Sequence, residues 1–154
     1  MKKSLHSKFH ILNSSKGFTL IEILIVVAII GILASTVLVG LLPAQRQGRD
    51  ARRISDLRQV QNALELYFNA NGVYPNVPTW NNLQTTLAAA AIGVSNVPDD
   101  PKSGAHYQYV SDGATYVLGA TLEDGNNPNL RDSIKINPIQ GGFSCGSPVY
   151  CVSL

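Results

Sequence analysis

The stretch KGFTLIEILIVVAIIGILASTVLVGLL, residues 16–42, decides the architecture of this 154-residue chain. Between residues 18 and 42, 19 of the 25 side chains are hydrophobic, and the single charge is Glu22. A helix of 25 residues is about 37 Å long, which is enough to cross a hydrocarbon core of about 30 Å. The run is also longer than the apolar part of an ordinary cleaved secretory signal. We therefore predict a single membrane-spanning helix near the N-terminus.

The charges on the two sides of this run give conflicting orientation signals. Four lysines and no acid precede it, which favours a cytoplasmic N-terminus, but five arginines follow it between residues 46 and 58. Without the four lysines the chain carries eight basic and ten acidic side chains, a formal charge of −2. Overall charge therefore does not indicate a nucleic-acid-binding protein.

Glu22 is the unusual residue of the apolar run. An ionised carboxylate in a membrane helix costs several kcal/mol unless it has a partner. It is either a favourable charge near a helix N-terminus at the headgroup boundary, or a carboxylate that pairs with a cation of a neighbouring subunit. The periodicity of the sequence does not separate these interpretations.

The segment Lys16-Gly17-Phe18-Thr19-Leu20-Ile21-Glu22, followed by the apolar residues 23–34, resembles the class III signal of type IV prepilins and type II secretion pseudopilins. The resemblance implies that a membrane prepilin peptidase cleaves between Gly17 and Phe18, and that the new Phe18 amine is N-methylated. It also assigns Glu22 to pairing with the N-terminal amine of an adjacent subunit during filament assembly.

With this resemblance the chain divides into four parts. Residues 1–17 are a leader that is removed, residues 18–42 a transmembrane or filament-core helix, residues 43–72 an amphipathic stalk helix, and residues 73–154 a head. Gly40 and Pro43 interrupt the helical pattern. In the family such breakers mark where the N-terminal helix loosens in a filament; a kink that aims the head is the other interpretation.

The stalk is amphipathic, with an apolar stripe expected to dock on the head: Ile54, Leu57, Val60, Leu64 and Tyr67. The arginines, Asp50 and Asp56 are expected to stay mostly solvated. Gly72 is expected to end the helix.

The head is expected to hold a short helix and a small sheet. Thr79 is predicted to cap the helix, which contains the core anchor Trp80 and reaches Ala91. Residues 107–110 and 115–122 alternate as a hairpin, and we place a third strand at Ile134 and Ile136. The predicted fold class is therefore α+β, a pilin-like arrangement of a long N-terminal helix on a small antiparallel sheet.

The polar residues of the head do not predict an enzyme. Two acidic pairs, Asp99–Asp100 and Glu123–Asp124, are not accompanied by a nucleophile, and His106 stands alone outside the leader. We expect no cofactor. Calcium is the alternative, because oxygen donors cluster at Asp124, Asn126, Asn129 and Asp132 and some major pseudopilins hold calcium in a head loop. A solvated turn is the favoured interpretation of these residues.

Cys145 and Cys151 lie close together near the C-terminus, on the exported side of the predicted span. In an oxidising compartment such a pair predicts a disulfide. The pair resembles pilins with a C-terminal disulfide, whereas major pseudopilins commonly lack one.

The expected function is structural: a subunit of a type IV pilus-like filament, most closely a type II secretion pseudopilin or related major-type pilin. It would reside in the bacterial cytoplasmic membrane with its head outside and then join the filament. Its expected partners are other pilin subunits, the prepilin peptidase, a membrane assembly platform and the bilayer. The alternatives are a minor pilin for DNA uptake, adhesion or ligand binding, and a membrane-tethered head that does not polymerise. Residues 59–154 carry three basic and seven acidic side chains, which argues against phosphate binding there.

Overall fold

The computed structural model describes residues 17–135, 139 and 142–154 of the chain. Apart from Gly17, the predicted leader lies outside the described residues. Contacts within the chain divide the structure into two units, with the boundary between Gly40 and Leu41.

Helix α1, Leu20–Asn71, supplies the predicted long N-terminal helix. Its helical assignment continues through Gly40 and Pro43, so the loosening expected there stays a prediction for the assembled state. The helix ends where the sequence predicts, because Gly72 takes a left-handed φ of 74° and its amide donates to the Phe68 carbonyl at 2.7 Å.

The first unit presents the apolar half of α1 with its described side chains exposed. This helix is long and apolar enough to cross a membrane, and its apolar window is not buried against any other described part of the chain. Large exposed side chains include Phe18 at 83%, Leu20 at 82% and Ile32 at 66%. Such a surface needs lipid or other protein to cover it.

The second unit buries the predicted stripe of α1. Ile54, Leu57, Val60 and Leu64 are at most 7% exposed, and Tyr67 packs at the edge of the same core. Helix α2, Trp80–Ala89, and one face of the sheet complete this core.

Helix α2 begins as predicted and ends two residues earlier than expected. The Thr79 hydroxyl accepts from the Asn82 amide at 3.2 Å and caps the helix. Trp80 is buried with its ring edge-on to Tyr107 at 5.3 Å, which confirms its role as a core anchor. Ala91, predicted inside the helix, follows its end with a φ of 54°.

Three antiparallel strands form the sheet in the order β1-β2-β3: β1 is Gln108–Ser111, β2 Tyr116–Thr121 and β3 Val149–Ser153. The hairpin is confirmed, but the predicted third strand is wrong. Ile134 lies beside the outer edge of β3, where its amide donates to the Cys151 carbonyl at 3.2 Å, and Ile136 lies outside the described residues. Pairing of Gly119 with Cys151 sets the register of β3, a long-range constraint that local periodicity does not carry.

The C-terminal segment covers the sheet face opposite α1. Phe143, Cys145 and Cys151 pack with Val117 there. Gly119 gives Phe143 the room it needs, because a Cβ at that position would lie 2.4 Å from the Phe143 ring. The head therefore has three layers: helix, sheet and C-terminal cover.

Candidate functional site

The predicted processing and assembly residues lie where α1 begins. Residues 17–19 are not helical, and Thr19 and Glu22 form a reciprocal cap. The Thr19 amide and hydroxyl donate to Glu22 Oε2 at 2.8 and 2.7 Å, and the Glu22 amide donates to the Thr19 hydroxyl at 3.3 Å. The motif thus holds the Glu22 carboxylate against Thr19, the residue that follows Phe18.

Within one subunit, Glu22 acts as a favourable charge at the helix N-terminus, as the first interpretation proposed. Its Oε1 has no hydrogen-bond partner in the described part of the chain. The carboxylate is surrounded by exposed apolar side chains, among them Phe18, Ile23 and Val26. One carboxylate oxygen is therefore available to a donor from another molecule.

A buried ion cluster in the second unit was missed by the sequence analysis. Arg53, expected to be solvated, is 1% exposed. Its Nε and Nη2 donate to the two oxygens of Asp100 at 2.7 and 2.9 Å, while Nη1 donates to Asp50 at 2.7 Å and to Glu123 at 3.0 Å. Burying a guanidinium requires such partners, because an unpaired charge in the interior costs several kcal/mol.

The cluster ties α1 to two loops of the head. Arg49 donates two hydrogen bonds to Glu123, from Nε to Oε1 and from Nη2 to Oε2, each 2.6 Å long. Asp50, fully buried, also accepts the backbone amides of Glu123 and Asp124 at 2.9 and 3.0 Å. Asp56 is buried as well and accepts the Tyr107 hydroxyl at 2.7 Å. The expectation that these aspartates are solvated is therefore wrong.

The pattern of α1 contained a signal for this burial. Asp50, Arg53, Leu57, Val60 and Leu64 follow one another at spacings of three and four, so the charged pair continues the apolar stripe. What the sequence does not show is the partners, since Asp100 and Glu123 lie 47 and 70 residues from Arg53.

The cluster lowers the pKa of two of its carboxylates, Glu123 and Asp100. Hydrogen bonds from Arg49, then from Arg53, lower the pKa of Glu123 to about 2. Burial works to raise the pKa of Asp100, but hydrogen bonds from Arg53 and the Lys102 amide bring it below its usual value. Because both folded-state values are depressed, the carboxylates stabilise the fold above their ordinary pKa values, and this stabilisation is lost as the pH falls toward 2.

Three of the four acidic side chains considered for catalysis have basic side-chain partners, and the fourth, Asp124, accepts a backbone amide in a turn. Asp100 and Glu123 belong to the cluster, and Asp99 binds Nδ1 of His106 at 2.7 Å in an exposed pair. The five arginines that follow the apolar run do not form a continuous basic surface for nucleic acid, because Arg53 is buried and Arg49 is paired with Glu123.

The oxygen-rich loop after β2 forms turns. Asp124 Oδ1 accepts the Asn126 amide at 2.9 Å, the Asn127 side chain accepts the Asn129 amide at 3.0 Å, and Asp132 follows a short 3₁₀ helix, Pro128–Arg131. The Lys135 ammonium donates to the Leu130 carbonyl and places a cation in the same loop. Within the described ranges, no three carboxylate, histidine or cysteine side chains converge as a metal-binding group. These contacts are those of ordinary turns, and calcium binding by the loop stays a prediction.

The two cysteines form the predicted disulfide, with a Cα–Cα distance of 5.6 Å. Cys145 lies in the C-terminal cover and Cys151 in the middle of β3, so the bond fastens the cover to the sheet.

Comparison with known proteins agrees with these features. Residues 12–38 match the prokaryotic N-terminal methylation motif. This motif, followed by a long helix packed on a small antiparallel sheet, defines a type IV pilin-like protein.

Proteins with similar sequences indicate which pilin-like family the chain belongs to. The chain is 32% identical to type II secretion system core protein G of Vibrio cholerae serotype O1 over 134 aligned residues. This alignment covers 79% of this chain and 91% of the relative. The proteins of the same name from Aeromonas hydrophila and Pseudomonas aeruginosa are each 31% identical over 135 residues, covering 75% and 78% of this chain and 94% of each relative. No solved structure matches the chain. The chain belongs to the type II secretion system core protein G family, the major pseudopilins.

Substituting Arg53→Ala tests the ion cluster. We expect the free energy of unfolding to fall by about 3–5 kcal/mol, because Asp50 and Asp100 would be left buried without their cation. Urea denaturation of the full chain in detergent, followed by Trp80 fluorescence, measures this change. The matched control, Arg58→Ala, removes an exposed arginine and is expected to change stability by less than about 0.5 kcal/mol. Equal effects of the two substitutions would contradict the assignment.

Calcium binding by the loop is tested by thermal melting of the full chain. We expect the same melting temperature in calcium and in chelator, because Glu123 is held by arginines and Asp124 and Asn127 cap turns. A melting temperature that rises with calcium in the wild type, and no longer rises in Asp124→Ala, would overturn this expectation.

Proposed function

We propose that this chain is a structural subunit of a type II secretion pseudopilus or of a closely related pilus-like filament. The observation that carries the proposal is the apolar half of α1, which is exposed in the single subunit and most of which lies within the matched N-terminal methylation motif. Lipid covers this half before assembly, and the same half of neighbouring subunits covers it afterwards. The head stays outside the helical core of the filament.

Processing and assembly follow from the start of the helix. A prepilin peptidase cleaves between Gly17 and Phe18, and the new Phe18 amine is methylated. Glu22 then pairs with the Phe18 amine of an adjacent subunit through the carboxylate oxygen that the Thr19 cap leaves open. A buried amine and a buried carboxylate are each unfavourable alone, so their pairing sets the axial register of the subunits.

The proposed topology has the N-terminus in the cytoplasm and the head outside. Four lysines before the helix favour this orientation, and the Cys145–Cys151 disulfide suits the oxidising side of the membrane. A membrane assembly platform then moves the subunit from the bilayer into the filament.

Substituting Glu22→Gln tests the assembly role. Glutamine can still accept the capping hydrogen bonds from Thr19, but it has no charge for the amine. We expect normal cleavage, measured by the mass of the mature chain, and a drop in filament yield of about tenfold or more, measured by shearing and electron microscopy.

The matched control is Thr19→Ala, which removes the hydroxyl of the cap and keeps the carboxylate. It is expected to weaken the helix start by about 1 kcal/mol and to retain most of the filament yield. Normal filaments in Glu22→Gln, or equal losses in both variants, would argue against pairing between subunits.

A further inference from the structure

A small notch lies at the foot of the head. Its walls are Pro43, Arg46 and Gln47 from α1, and Glu123 and Asp124 from the loop that follows β2. Its volume is about 230 Å³, the space of roughly eight waters at about 30 Å³ each. All five residues belong to the second unit.

Two side chains of opposite charge, Arg46 and Asp124, line this notch and do not form an ion pair with each other. The carboxylate of Glu123 is already used by Arg49 and Arg53. The exposed guanidinium of Arg46 makes no ion pair or hydrogen bond within the described part of the chain, and the same holds for Oδ2 of Asp124, whose Oδ1 accepts the Asn126 amide. The notch therefore offers one free cation and one free carboxylate oxygen to a ligand.

The sequence position of the notch relates it to the membrane surface. Arg46 follows Leu42, the last residue of the apolar run, by four residues, which is about 6 Å along a helix. The headgroup layer on each side of a bilayer is about 5–7 Å thick. Arg46 on α1 is therefore close enough to the bilayer to contact the lipid headgroups before the subunit is assembled.

We propose that this notch binds the phosphoethanolamine headgroup of a lipid in the outer leaflet of the cytoplasmic membrane. The phosphate accepts from Arg46, and the ammonium donates to Asp124. The inference rests on the proposed function, because it concerns the membrane stage that precedes assembly.

The chemistry of the notch separates this headgroup from its competitors. A purely anionic headgroup would meet the carboxylate of Asp124 without a compensating cation. A choline headgroup is bulkier and has no N–H to donate, so it loses the charge-assisted hydrogen bond. A single side chain of a neighbouring copy supplies one charge, whereas the notch presents both signs.

The test uses the full chain in vesicles that contain phosphatidylethanolamine and phosphatidylcholine in equal amounts and a fixed fraction of phosphatidylglycerol. After extraction in mild detergent, native mass spectrometry counts the lipids that remain bound. We expect phosphatidylethanolamine to be retained over phosphatidylcholine by about fivefold, the value of one partly exposed ion pair.

Arg46→Gln and Asp124→Asn should each bring the ratio of retained lipids close to one. Both variants should fold, because Arg46 has no partner to lose and an Asn at 124 keeps an acceptor for the Asn126 amide. The matched control is Arg58→Gln, which removes an exposed and unpaired arginine twelve residues farther along α1 and should keep the wild-type ratio.

Equal retention of the two lipids by the wild type would overturn the proposal, as would an equal loss of preference in Arg58→Gln. Cross-links between copies from a photoreactive residue at position 47 in unassembled membranes would also overturn it, because a second chain would then occupy the notch. Filament yield is scored on the same preparations. Selective retention without filaments would contradict the proposed function alone, and filaments with equal retention would contradict only the lipid site.

Discussion

The buried guanidinium of Arg53 is the interaction on which the second unit depends. It lies between Asp50 on its own helix and two head carboxylates, Asp100 and Glu123, and it is 1% exposed. A cation placed there stabilises the fold only if all its partners are present, so docking of α1 and closure of the two loops are coupled. Replacing such a cluster by apolar residues often raises stability, which suggests that this one fixes where the head docks along the helix.

Helix α1 has two halves that differ in burial: its own chain buries the second half, and the first half needs lipid or other helices to cover it. From Asp50 onward, α1 is covered by its own chain through Leu57, Val60 and Leu64. Before Gly40 the described side chains are exposed, and the apolar window of the helix is 0% buried. An apolar surface of this extent is stable in lipid or against other apolar helices. A membrane-stored filament subunit satisfies both conditions with the same segment.

Features that neighbouring residues determine were predicted correctly from the sequence. Features that depend on residues far away along the chain were not. The Thr79 cap, the Gly72 stop, the stripe from Ile54 to Leu64 and the disulfide each follow from neighbouring residues or from composition. The burial of Asp50 and Arg53 was missed because the carboxylates that make it tolerable come from loops far along the chain. The third strand was misplaced because Val149–Ser153 owes its assignment to pairing with β2. A partner strand that lies far away along the chain leaves little trace in local periodicity.

The central claim is that the apolar half of α1 exchanges lipid for neighbouring copies of itself. A photoreactive amino acid at Val26, whose side chain is 51% exposed, tests it directly in cells that carry the assembly machinery. The account predicts lipid adducts of the chain in the membrane fraction and a ladder of covalently linked copies in the sheared filament fraction. Lipid adducts in every fraction, with no linked copies from position 26, would contradict it.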